Sequence, residues 1–261
     1  MAIKTEAIVL GSRPLKEADR WYYVLTPLDG KLRLILKSAG RSSSKLAGHL
    51  WPGNRVRLLI GRGRNDHLAG VTILNSFGPS DSLPLSLLQS FVLELVTAIN
   101  VSGQEAAREY QLLWSILTLI HDESLPLADR IAAVRGFAWS LLSVAGWQPS
   151  FRRCAVCATV IDNQAVYYSG GSGFVCSSHQ DDSVLEVSPG LQQALKQLSL
   201  SDGSNWLTIV SDLRASDADE SWWRLTQKYV RDIIDQPLRT LDIYNYLLND
   251  VYYQASTIPS R

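Results

Sequence analysis

Hydrophobic and polar positions change their period along the 261 residues of this chain, and the change falls near residue 80. Before it, apolar and polar side chains alternate with the period of two that a half-buried strand requires, because successive side chains point to opposite faces. Strands are predicted at Thr5–Arg13, Arg20–Thr26, Lys31–Ser38, Arg55–Gly61 and His67–Phe77. On the third, Leu32, Leu34 and Leu36 share one face while Lys31, Arg33, Ile35 and Lys37 share the other. The fourth repeats the pattern, with Arg55 and Arg57 set against Val56, Leu58 and Ile60. Asp29-Gly30 supplies a tight turn between the second and third strands. A short helical stretch, Lys45–Leu50, separates the third from the fourth. Strands in this number, with a helical insertion at that point, match the partly open barrel of an OB fold.

From Ser82 the period becomes 3.6. Pro84 suits a first helical turn, and Leu88, Phe91, Val92, Leu95 and Ile99 form one stripe. Asn100–Gly103 interrupts it. Tyr110, Leu113, Trp114, Leu117 and Ile120 mark a second helix; Leu127, Ile131, Val134, Phe137, Leu141 and Leu142 mark a third that stops near Gly146. Further helices are predicted at Leu191–Leu198, Ser221–Asp235 and Leu238–Leu248, the last two split by Pro237. The fold class expected is therefore α+β and multidomain. An N-terminal OB-fold β-barrel, residues 1–79, precedes an all-α domain, residues 80–261, which carries an inserted metal-binding loop at 150–185. The longest apolar run, Phe91–Val101, contains Glu94 and falls short of a membrane span. The first residues show no apolar core of a signal peptide.

Charge sharpens the division. The formal net charge is zero, yet residues 1–67 hold 13 Lys and Arg against 5 Asp and Glu, and the remainder holds 12 against 20. A basic segment joined to an acidic body points to an anionic polymer as ligand of the first part alone. Candidate phosphate contacts are Arg13, Lys16, Arg20, Lys31, Arg33, Lys37, Arg41, Lys45, Arg55 and Arg57. The loop Lys37–Lys45, rich in serine, offers cations and backbone N–H groups. Trp21-Tyr22-Tyr23 sets rings beside these charges, the combination used by single-strand binders; Trp21 and Tyr23 share one strand face and Tyr22 takes the other.

All three cysteines lie in one window, Cys154-Ala155-Val156-Cys157 and Cys176-Ser177-Ser178-His179. The repeated spacing lets two tight turns complete a tetrahedral shell of three sulfurs and one nitrogen suited to Zn2+. Such a shell leaves no open position for an activated water, so the ion is expected to be structural. Between the pairs, Tyr167-Tyr168-Ser169-Gly170-Gly171-Ser172-Gly173 reads as strand, glycine turn and strand. With no cysteine left for a disulfide, a reducing cytoplasm is the expected location.

Enzymatic constellations are sparse. The chain lacks a P-loop, a dinucleotide fingerprint, a nucleophile elbow and a His-Glu-x-x-His motif. A zinc deaminase needs His-x-Glu ahead of Pro-Cys-x-x-Cys; His121-Asp122-Glu123 supplies the first half, but Arg153 replaces the proline. The sequence thus favours a non-catalytic protein. The main alternative is an adaptor that binds only proteins, with no direct contact to nucleic acid.

With these residues in view, the chain resembles the RecO family of bacterial recombination mediators over nearly its whole length. Glu6–Leu10 with Arg13–Arg20 is similar to the family's first strand, turn and second strand. Leu25–Lys31 and Lys37–Leu46 resemble its "LT…G" turn and "KG.R…SK" loop, Cys154, Cys157, Cys176 and His179 sit where many members carry zinc, and Pro237–Thr240 resembles a "PLKS" element. The resemblance implies DNA repair and recombination in the RecF pathway: binding of single- and double-stranded DNA and annealing of single strands. It also implies cooperation with RecR and single-strand-binding protein to load RecA at gaps, in the cytoplasm at the nucleoid.

Overall fold

The structure is a computed structural model. It describes residues 2–41, 44–63, 65–78, 80–99, 103–161, 164–170, 173–180, 185–215, 219–234 and 237–245. Ser42, Ser43, Gly171, Ser172, Asp235, Leu247 and Leu248, which belong to segments discussed above, lie outside the described residues, as do Asn100–Ser102. The described chain divides into two compact units, residues 1–122 and 123–261.

The first unit is built on five strands, β1 (Ala2–Pro14), β2 (Arg20–Thr26), β3 (Gly30–Leu36), β4 (Arg55–Gly61) and β5 (His67–Asn75). Their order is β1-β2-β3-β5-β4, and β1 pairs antiparallel with both β2 and β4, so the sheet closes on itself. A register shift between Val9 and Gly11 lets β1 bend from one partner to the other. Closure between β3 and β5 is narrow and parallel, at Ile35 and His67. Alternation decides what fills the interior: Ala7, Val9, Tyr22, Val24, Leu34, Leu36, Val56, Leu58, Ile60 and Leu68 form one buried cluster. The stretch expected to be helical at 45–50 contains a single 3-10 turn, Ala47–His49.

Gly30 closes the β2–β3 turn at φ +60°, and a Cβ there would lie 2.1 Å from the carbonyl oxygen of Gln104. Both facts require glycine. The same turn is held by Thr26, whose hydroxyl donates to the Gly30 carbonyl and accepts from the Asp29 N–H. α1 (Leu83–Ile99) and α2 (Ala107–Ile120) pack on each other and on the strands, burying Leu88, Phe91, Val92, Leu95, Leu113, Ile116 and Leu117.

The second unit centres on α3 (Leu127–Leu142), in which every residue from Ile131 to Leu142 is buried. A helix apolar around its circumference belongs inside a bundle. A short π-helical turn, Ser143–Trp147, ends it at Gly146, whose φ is 87°. A small sheet of β6 (Val166–Tyr168), β7 (Phe174–Val175) and β8 (Leu185–Val187), ordered β7-β6-β8, follows. α4 (Pro189–Leu200) is capped by the Ser188 hydroxyl, which accepts from the Leu191 N–H. α5 (Trp206–Ala215), α6 (Asp219–Ile233) and helical residues 239–245 complete the unit. Neither α5 nor β8 is among the elements expected above. No described helix is long and apolar enough to cross a membrane.

Candidate nucleic-acid interface and metal cluster

On the outer face of the closed sheet, strand register brings together side chains that are far apart in sequence. Arg13 is opposite Trp21, Trp21 opposite Ile35, and Tyr23 opposite Arg33. Because paired residues share a face, Arg13, Trp21, Tyr23, Lys31 and Arg33 all point away from the interior. Trp21 and Tyr23 are half-buried, and Arg13 and Arg33 are exposed. Each arginine lies over the ring diagonal to its partner: Arg33 sits 4.4 Å from the centre of Trp21 and Arg13 5.9 Å from that of Tyr23. A cavity of about 700 Å3 opens here, walled by Trp21, Tyr23, Lys31 and Arg33 on one side and by Gly63, Asn65 and Asp66 of the β4–β5 connection on another. Arg62 and Asp66 form an ion pair that ties this connection together. A second hollow of about 240 Å3, lined by Gly11, Ser12, Arg13, Tyr23 and Thr97, continues along the face.

Tyr22 points the other way, into the barrel, where burial pushes its hydroxyl pKa up. Arg20 shares that inward alternation at the barrel's end and donates to the Ser12 hydroxyl at 3.1 and 3.3 Å. Lys31, on the outer face, turns towards α1 and donates to the Thr97 carbonyl at 2.7 Å; burial lowers its pKa.

Lys16, Lys37, Arg41 and Lys45 are exposed and belong to two loops at one end of the barrel. Those loops are joined: the Ser38 N–H donates to the Asp19 carboxylate at 2.8 Å, and the Gly40 N–H to the Ala18 carbonyl at 2.8 Å. Ser38 holds φ at 56°, a left-handed conformation that costs free energy in a residue with a Cβ and is maintained by those bonds. Ala39 is thereby buried in the core while the flanking cations stay in solvent.

Arg55 and Arg57 have another role. Both donate to Glu6 across the β1–β4 pairing, at 2.8 and 2.9 Å. Arg55 also donates to the Tyr110 hydroxyl at 3.2 Å and lies 4.9 Å from the centre of the Trp114 ring. The hydrogen bonds from Arg57 and Arg55 hold the Glu6 carboxyl below its usual pKa. The charge of both arginines is therefore engaged within the unit, where Arg55 fastens α2 to the sheet. Glu6, Tyr110 and Trp114 carry no local sequence signal for this, since the contact depends on strand pairing and helix docking.

In the second unit the ligand atoms of Cys154, Cys157, Cys176 and His179 lie within 4.8 Å of one another. Cys157 Sγ is 3.9 Å from Cys176 Sγ; His179 Nδ1 is 3.2 Å from Cys176 Sγ and 3.8 Å from Cys154 Sγ. Tetrahedral bonds of about 2.3 Å to sulfur and 2.0 Å to nitrogen require edges of about 3.6–3.8 Å, so this donor set fits a small divalent ion. The first turn is closed by the Arg153–Val160 bridge, by the Cys154 N–H donating to the Thr159 carbonyl, and by the Ala158 N–H donating to Cys154. Burial acts to raise the Cys154 pKa, but backbone N–H groups of Cys157, Cys176 and Val156 outweigh it and bring the thiol to about 6. The turn is thus built for a thiolate. Burial and the neighbouring sulfurs push Cys176 up, the repulsion that a bound cation relieves. Cys154 is buried, whereas Cys157 and His179 are exposed at the edge of the hairpin.

His121 belongs to the first unit, stacked on Phe77 at 4.7 Å, with Nε2 2.6 Å from the Gln89 side-chain oxygen. Gln89 in turn donates to the Pro52 and Phe77 carbonyls. His121 therefore braces the exit of β5 against α1 and α2, and the nitrogen of the cysteine cluster comes from His179.

Comparison with known proteins agrees with this architecture. The family described as "Recombination protein O N terminal" matches residues 1–77, and "Recombination protein O C terminal" matches residues 83–242. The chain is 26% identical over 252 residues, 94% of each chain, to the DNA repair protein RecO of Desulforamulus reducens. It is 30% identical over 217 residues, 81% of this chain and 86% of the other, to that of Frankia casuarinae. It is 34% identical over 176 residues to that of Dehalococcoides mccartyi, covering 66% of this chain and 67% of the relative. A closed basic sheet followed by a helical unit with a Cys3His cluster, matched by both family descriptions over most of its length, belongs to the recombination protein O family, with a role in DNA repair and recombination.

Proposed function

We propose that this protein is a non-catalytic mediator that binds single-stranded DNA without sequence preference and anneals complementary strands. The observation that carries the reading is the pair of half-buried rings, Trp21 and Tyr23, on a sheet face with Arg33 and Arg13 above them. A base entering the groove takes the place of a guanidinium over the ring, and the guanidinium moves to the adjacent phosphate. Stacking contributes about 1–3 kcal/mol per base and is indifferent to sequence. Lys16, Lys37, Arg41 and Lys45 extend the contact to further phosphates, of single strands or duplex. Covering phosphates on two strands lowers their mutual repulsion, so that pairing nucleates. Arg55 and Arg57, held by Glu6, are assigned to the fold in this reading, Lys31 to the edge of the groove and Arg20 to the end of the barrel.

The strand order supports naming the barrel an OB fold. Its module ends at residue 79, between the last strand and the first helix, and the helical domain runs from 80 to 261 with the metal insertion at 150–185. The ion is Zn2+, held by Cys154, Cys157, Cys176 and His179; it neutralises the thiolates and fixes the hairpin. RecR, single-strand-binding protein and, indirectly, RecA are the protein partners in the cytoplasm, at the nucleoid, where the bound strand is made available for recombination.

Titration of a labelled single strand at several salt concentrations tests the proposal. With about 6 phosphates neutralised, the log–log slope is about −4. Charge reversal at Lys37, Arg41 and Lys45 lowers affinity across sequences and flattens the slope by about 2. Affinity without salt dependence, unmoved by these changes or by Arg33→Ala, would replace the reading with that of a protein adaptor.

A further inference from the structure

The second unit lies in the acidic part of the chain, yet one side of α6 sets three cations between Glu220 and Asp232. Arg224, Lys228 and Arg231 recur at helical spacing and fall on the same side. The opposite side carries Trp222, Trp223, Leu225 and Val230 into the core, so packing does not account for the cations. Together with Gln227, Asp232 and Leu185 of β8, the three line a cleft of about 380 Å3.

Asp232, the one acidic residue among the described lining residues, accepts a hydrogen bond from the Tyr168 hydroxyl at 2.6 Å. Asp242 pairs with Arg231 at 2.7 Å, but both side chains are more than half exposed, so the pair is weak and opens readily to another anion. Lys228 Nζ lies 5.7 Å from the centre of the Tyr168 ring. Tyr168, in β6 of the hairpin, thus meets two of the lining residues, Asp232 and Lys228.

We infer that this cleft is a second phosphate-binding site, which holds the backbone of a second DNA strand. The inference rests on the annealing function proposed above, which requires two strands to be held at once. The first and last cations are about 10 Å apart along the helix axis, the rise of about three stacked nucleotides. Among the described residues, Leu185 is the single apolar one in the lining. A peptide partner draws its affinity from apolar anchors in a groove, whereas a sugar-phosphate backbone needs none, and this lining suits the latter.

The test uses the full-length, metal-loaded protein, a short oligothymidylate and a complementary pair of labelled strands. Arg224→Ala/Lys228→Ala/Arg231→Ala is expected to keep the first strand's affinity within about twofold. It loses the second bound strand and slows annealing by about tenfold or more, and the salt slope of second-strand binding flattens by about 2. Unchanged far-UV circular dichroism and metal content show that the variant is folded, and Arg224→Lys/Arg231→Lys retains second-strand binding. Wild-type stoichiometry and annealing rate in the triple variant would overturn the inference. So would loss of binding to an oligoglutamate peptide with both DNA strands still held, which would make the cleft a peptide site. If Trp21→Ala/Arg33→Ala leaves strand binding intact while the α6 variant abolishes it, the barrel reading fails and the cleft stands as the DNA site.

Discussion

Arg33 and Arg55 carry the same charge on the outer face of one barrel and meet different fates. Arg33 faces solvent over Trp21, while Arg55 is fixed by Glu6 and Tyr110. Only the first leaves its charge in solvent. The Glu6 carboxyl, held below its ordinary pKa by Arg57 and Arg55, contributes stability that is present above about pH 4.3 and is lost as pH falls through the lower folded value. Glu6→Gln should therefore cost about 1 kcal/mol at neutral pH, discounted for partial exposure, and flatten the acid limb of stability against pH in denaturant titrations. The aromatic triplet gives a second contrast. Trp21→Ala should lower single-strand affinity by about tenfold to a hundredfold with little loss of stability. Tyr22→Ala, which empties part of the barrel interior, should cost about 3 kcal/mol of unfolding free energy and serves as the structural control.

At the scale of elements, legibility in the sequence follows whether a segment's structure is decided by its own periodicity. Strands β2, β3 and β4 could be placed closely because alternation over seven residues sets both type and face. The cysteine pairs were equally plain, since their spacing is itself the geometry of a turn. β8 is only three residues long and exists through pairing with β6, so nothing local announces it. α5 does carry Trp206, Ile209, Val210 and Leu213 at helical spacing, a signal that was present but brief. The metal hairpin makes a prediction at this scale. Chelation under reducing conditions should raise amide exchange in β6, β7 and the Cys154 turn while the barrel strands keep their protection. Cys157→Ser should lower metal affinity at least about a hundredfold, and a cobalt-substituted sample should show the charge-transfer bands of a tetrahedral thiolate site.

For the whole molecule, the boundary inferred from periodicity and the grouping set by packing are different things. Strand content ends at Asn75, but α1 and α2 lie against the strands and compactness breaks after Asp122. A chain ending at residue 122 should unfold cooperatively in urea, whereas one ending at residue 79 loses the partners of Lys31, Arg55 and the Pro52 carbonyl and should be markedly less stable. What the amino-acid order determined by itself was the class of each long element, the inward and outward faces of the strands, the basic and acidic halves, and the four potential metal donors. These are local properties, set by side-chain alternation, helical spacing and charge. Which cations face a groove and which are held by Glu6, the joining of two loops through Asp19 and Ser38, and the cleft along α6 were decided only by tertiary structure. Each of these depends on register and packing between residues distant in the chain, and a charge acquires its role from the groups that folding brings beside it.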